Sequence, residues 1–141
     1  MKKRILLSVC GKQHYQDQEP DVIELTTEGT LEQVGGGWRI CYEESELTGL
    51  QGVTTEFFVE SGKITLTRTG ALRSQMIFEQ GVAHDSLYQM EFGTLLMRVC
   101  AKYIFCDVTP DGGVIDLLYT IEIENSEAGE IEYRLLLREI E

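Results

Sequence analysis

The sequence predicts an all-β protein: a single antiparallel up-and-down meander, closed into a barrel of about 8–10 strands, with almost no helix. Three observations carry this prediction. Apolar and polar residues alternate in short runs broken at close intervals by glycine, most densely between Thr54 and Leu96. No apolar period of about 3.6 residues persists through three turns. A meander of that many strands, joined mostly by short links, has two edges to protect, and closing the sheet on itself removes them. A sandwich is the competing solution, but its Greek-key connections need longer crossings than most of these links provide.

The first strand is read over about Lys3 to Gln13, where Ile5, Leu7 and Val9 share one face and Leu6 shows partial cover on the other. A polar link ends at Pro20, which cannot serve a central ladder, and the second strand runs from Asp21 to Glu28. Its alternation is weak, with Val22 and Thr26 set against Ile23 and Leu25. After the glycines Gly35, Gly36 and Gly37 comes a third strand with Trp38, Ile40 and Tyr42 on one face. A phosphate-binding reading of those glycines would need a helix after them, and a strand follows instead.

Ser61-Gly62, Gly70, Gly81 and Gly93 then divide the centre of the chain into successive strands. Phe57 and Val59 of the fourth, Ile64 and Leu66 of the fifth, and Leu72, Ser74, Met76 and Phe78 of the sixth are assigned inward by parity. Ser86, Tyr88 and Met90 share a face of the seventh. The eighth run, Thr94 to Val108, changes parity near Tyr103, from Met97, Val99 and Ala101 to Ile104 and Val108, which predicts a bulge or bend. Pro110, Asp111, Gly112 and Gly113 mark a tight turn. Ile115, Leu117, Tyr119, Ile121 and Ile123 line one face of the ninth strand, and Ile131, Tyr133, Leu135 and Leu137 one face of the tenth, with the loop NSEAG between.

At 141 residues the chain is expected to form one domain, residues 1–141, able to bury roughly two-thirds of its unfolded surface without a metal or disulfide staple. A formal charge of −12 argues against a nucleic-acid partner and an anionic membrane surface; it keeps a β surface soluble and blunts edge pairing. The opening MKKRILLSVCG imitates an export signal, but the apolar run Ile5 to Val9 is shorter than the roughly 7–15 residues such a signal needs. No stretch approaches the ~20 apolar residues of a membrane span, so a cytoplasmic protein is expected. Cys10, Cys41, Cys100 and Cys106 form no CxxC pair and are expected to be free thiols.

The segments LTGLQG, KITLTRTGALRSQMIFEQG and SLYQMEFGTL, between Leu47 and Leu95, resemble the YwiB-like family of small, uncharacterised bacterial proteins. The resembling positions are Arg68 and Gly70, Phe78 and Gly81, then Tyr88, Phe92 and Gly93. The resemblance covers the middle third and the C-terminal strands in outline, and the N-terminal third only in strand character. The chain departs from it at Met90-Glu91-Phe92-Gly93, where something like Thr-Pro-Tyr-Gly would be expected. What the resemblance implies is a calycin-type barrel, related in shape to lipocalins and fatty-acid-binding proteins. It implies no activity and supplies no catalytic residues.

One residue breaks the inward pattern. Arg68 shares parity with Ile64 and Leu66, and an unpaired guanidinium in a barrel interior costs several kcal/mol. Either it sits at the barrel mouth or pairs with a carboxylate such as Glu44, or it holds the acidic head of an amphipathic ligand together with Tyr88 and Ser74. In the latter case the tail lies against Trp38, Tyr42, Phe57, Met76 and Phe78, a mostly apolar site with a few orienting polar groups. His84, Asp85 and Ser86 supply the residue types of a hydrolytic triad, but strand neighbours point to opposite faces. Asp107, Asp111 and Asp116 lack the ligand spacing of a calcium loop. The sequence therefore points to a non-enzymatic binder of a small apolar or acidic amphipathic ligand, with no cofactor or metal. The alternatives are a protein interaction module with a filled core, its partner unspecified, and an enzyme of unknown reaction.

Overall fold

Alternation with period two gives each strand one buried and one wet face, and in the computed structural model of this protein ten such strands close into one barrel. The structure describes residues 2–14, 19, 21–45, 51–90, 92–124 and 126–140. The strands are β1 (Lys2–His14), β2 (Asp21–Val34), β3 (Gly37–Glu43), β4 (Val53–Glu60), β5 (Lys63–Gly70), β6 (Arg73–Phe78), β7 (Ala83–Met90), β8 (Gly93–Thr109), β9 (Gly112–Ile123) and β10 (Ser126–Glu139). Each pairs antiparallel with its neighbours in sequence, and β1 closes the ring by pairing with both β2 and β10. No helix occurs among the described residues. The link ending at Pro20, most of SELTGLQG, and Glu91 in the departing turn lie outside the described residues.

The interior is the predicted one. Ile5, Leu7, Ile40, Phe57, Ile64, Phe78, Val99, Ala101, Ile115 and Leu135 are all wholly buried. The parity change in β8 is a bulge between Ala101 and Tyr103 in the pairing with β9, after which Ile104 opposes the buried Leu117.

Three boundaries differ from expectation. β2 continues past Glu28 to Val34, because Gly29, Leu31 and Gln33 stay in register with Tyr42, Ile40 and Trp38. β10 starts at Ser126, so most of NSEAG is ladder, with a register shift between Glu127 and Gly129. The turn after β8 is Pro110-Asp111 alone; Gly112 and Gly113 already belong to β9, opposite Thr109 and Val108.

Two glycines make room for the interior. A Cβ on Gly29 would stand 2.5 Å from the Cys41 carbonyl oxygen and 2.6 Å from Leu7 Cδ1, so its absence lets β2 press against β3 beside Tyr42. Gly70 adopts φ +114°, and a Cβ there would collide with the Gly52 carbonyl.

The outer face is laced by cross-strand ion pairs: Arg98–Asp85 at 2.7 Å, Arg4–Glu28 and Lys102–Glu130 at 2.8 Å, and Arg134–Asp116 at 2.9 Å. Such exposed pairs each contribute little, ~0–1 kcal/mol. All four cysteines are free. Among the described residues no helix is long and apolar enough to cross a membrane.

Candidate functional site

Cross-strand register carries one inner row sideways around the barrel: Tyr42 opposes Thr55, Thr55 opposes Arg68, Arg68 opposes Ser74, and Ser74 opposes Tyr88. On one side of this row lie the wholly buried Ile40, Phe57, Ile64 and Phe78. On the other a cavity of about 430 Å³ remains, lined by Arg68, Glu44, Met76, Tyr88, Tyr119, Tyr133 and a run of aliphatic side chains that includes Leu95, Met97, Ile121, Ile123 and Ile131. That size falls within the ~300–1,000 Å³ of small-molecule sites, as does the mixture of apolar wall and few polar groups.

The polar part of the wall is interconnected. The Tyr42 and Tyr133 hydroxyls lie 2.8 Å apart, and the Thr55 hydroxyl donates to the Glu44 carboxylate at 3.0 Å. Burial pulls the Arg68 guanidinium down, but Tyr133, Tyr119, Tyr42 and Glu44 together hold it above its ordinary value. Of those groups only Glu44 is a carboxylate. Burial pushes the Tyr42 hydroxyl far up, reinforced by Tyr133 and Glu44. Tyr119 is pushed up by burial against the pull of Arg68, and so is Tyr133. Two buried polar atoms side by side lack a partner: Arg68 Nε and Ser74 Oγ. In a native interior such atoms ask for an explanation.

Of the site residues read from the sequence, Arg68, Tyr88 and Met76 line the cavity, and Ser74 adjoins Arg68 in the ladder. The other four do not line it. Phe57 packs its ring on Tyr133 at 5.7 Å, and Phe78 on Tyr119 at 4.7 Å, so these two phenylalanines support the tyrosines that line the cavity. Tyr42 is buried in the hydroxyl chain. Trp38 is only partly buried and packs on the core opposite Val59, four residues and so about 13 Å along β3 from Tyr42. The sequence reading names Glu44 only as a carboxylate that could pair with Arg68, and it misses Tyr119 and Tyr133 as site residues. The parity that turned Tyr119 and Tyr133 inward was the signal available for them.

The weaker candidates come apart. His84 Nε2 lies 3.0 Å from Glu79, Asp85 binds Arg98, and the Ser86 hydroxyl donates to the Gln75 carbonyl, so the three face different partners. Among the described residues no three His, Cys, Asp or Glu side chains cluster as a metal site would.

Comparison with known proteins agrees with this architecture. The solved structure of the ywiB protein from Bacillus subtilis superposes with a TM-score of 0.87 at 23% identity, over 99% of this chain and 94% of that one. In sequence, the uncharacterized beta-barrel protein YwiB of Bacillus subtilis (strain 168) is 26% identical over 86 residues, 61% of this chain, and the matched part spans 58% of that relative. The profile of a domain of unknown function, DUF1934, matches residues 7–135, almost the whole barrel. The chain therefore belongs to the DUF1934 family of uncharacterised, YwiB-like β-barrel proteins.

Proposed function

We propose that this barrel is a non-enzymatic cytoplasmic binder of a small amphipathic or apolar ligand, in the manner of calycin-type barrels. The observation that carries this reading is the 430 Å³ cavity with Arg68 on its wall, a residue whose buried Nε has no partner. A core designed only for packing would fill that volume with side chains, and a buried guanidinium nitrogen without a partner has a use when a ligand supplies the acceptor. The head lies at Arg68 beside Tyr88, Tyr119 and Tyr133; the tail lies along Leu95, Met97, Ile121, Ile123 and Ile131. Arg68 alone would attract an acidic head, and Glu44 on the same wall opposes that choice.

Native mass spectrometry of freshly purified protein tests the reading. An adduct of a few hundred daltons that denaturation releases, and that is lost in Arg68→Met, is the expected result; a bare polypeptide mass together with no uptake of added amphiphiles would sink it.

A second reading, a protein interaction module, is favoured by one observation. Beyond the bulge, residues 103 to 109 of β8 pair with β9 but with no strand on their other side among the described residues. Tyr103 and Phe105 are exposed there, and an unpaired edge accepts an added strand.

A further inference from the structure

We propose that the cavity selects an uncharged head group that both accepts and donates hydrogen bonds, a primary amide being the simplest, over the carboxylate that a lone arginine would select. This rests on the cavity being a ligand site, as proposed above.

Arg68 and Glu44 line the same cavity. Thr55, the residue directly across the ladder from Arg68, is wholly buried and spends its hydroxyl on Glu44 Oε1 at 3.0 Å. Glu44 itself is 8% exposed, so the one cation on the wall already faces a fixed anion in a poorly solvated setting. A ligand carboxylate entering there would become a second anion around one cation, and two carboxylates sharing a site cannot both ionise cheaply. The other polar groups on this wall, the hydroxyls of Tyr88, Tyr119 and Tyr133, and of Tyr42 behind them, bring no positive charge to offset it.

The donor and acceptor types on this wall match an amide. Arg68 is a pure donor, and its Nε carries a hydrogen with no acceptor. Glu44 is a pure acceptor when ionised. A carbonyl oxygen suits the Arg68 side, and an N–H or O–H suits the Glu44 side, where the carboxylate already accepts from Thr55 and Tyr42. A carboxylate satisfies only the first and faces Glu44 with a lone pair.

Calorimetric titration of the full chain at pH 7.5 with octanamide, octanoate and octanol compares three heads on one tail. The expected ranking is octanamide tightest, at least roughly tenfold tighter than octanoate, with octanol between; a tenfold ratio corresponds to ~1.4 kcal/mol. Glu44→Gln should bring octanoate level with octanamide or above it. If that variant does not fold, the wild-type ranking alone decides. Wild-type preference for octanoate, or equal binding of all three heads, overturns this inference while leaving the cavity as a ligand site. No binding of any of the three overturns both.

Discussion

Arg68 stands between Thr55 on one side and Ser74 on the other, with the Glu44 carboxylate bound to Thr55 and the tyrosine hydroxyls in front of it. Its charge is therefore partly structural. Replacing it with methionine keeps most of the side-chain volume but leaves Glu44 facing an apolar wall. The expected loss is roughly 2–3 kcal/mol in chemical denaturation, below the ~3–5 kcal/mol of a contacting buried pair because Thr55 continues to bind the carboxylate. Unchanged stability would mean that Arg68 contributes nothing to the fold and is kept for a ligand alone. The supporting aromatics behave differently: Phe57 is wholly buried under Tyr133, and its removal deletes core volume at the base of the cavity without touching a charge.

At the level of strands, the barrel is closed unevenly. β6 and β7 pair only through Arg73 with Gln89 and Ser74 with Tyr88, and the Ser86 hydroxyl replaces a ladder bond by donating to the Gln75 carbonyl. Further along, β8 outruns β7 and presents a free edge. The amide of Ile104 turns away from β9 to the Gln80 side chain, so by the alternation of an antiparallel ladder those of Cys106 and Val108 turn outward as well. These two amides should exchange with solvent orders of magnitude faster than those at the centre of β9, read by hydrogen exchange at low protein concentration. Slow exchange there in the monomer would mean the edge is covered. Protection that appears only as concentration rises, or on adding a partner, would bring the interaction-module reading forward.

The whole molecule turns the side chains of Tyr42, Tyr119 and Tyr133 into its interior. Tyr42, Tyr119 and Tyr133 all have folded values raised above the ~10 of an unfolded tyrosine, chiefly by burial. A raised folded value means stability that is fully present below pH ~10 and is lost as pH rises beyond it, because the unfolded chain releases those protons first. Alkaline unfolding should therefore begin above pH ~10 and coincide with a cooperative gain in tyrosinate absorbance; Tyr42→Phe should shift that transition to higher pH. Smooth, non-cooperative titration of all the tyrosines near pH 10 would contradict the enclosure of this cluster.

Period-two parity made the inner faces legible. It placed Ile64, Leu66 and Arg68 inward, and it marked the bulge at Tyr103 from the switch between Ala101 and Ile104, because side-chain alternation is a local property of one strand. Short glycine turns made the meander, and the cost of open edges made closure the natural end. Parity gives the face of a residue but not its height in the barrel. Trp38, Phe57 and Phe78 share a face with the cavity residues yet pack in the filled part, while Tyr119 and Tyr133, with the same signal, line the opening. Height depends on the stagger between strands, which accumulates around the ring from every register and every bulge. For the same reason only the tertiary structure could bring Glu44 to Thr55, leave Ser74 Oγ without a partner, and decide that this barrel keeps a cavity along part of its length.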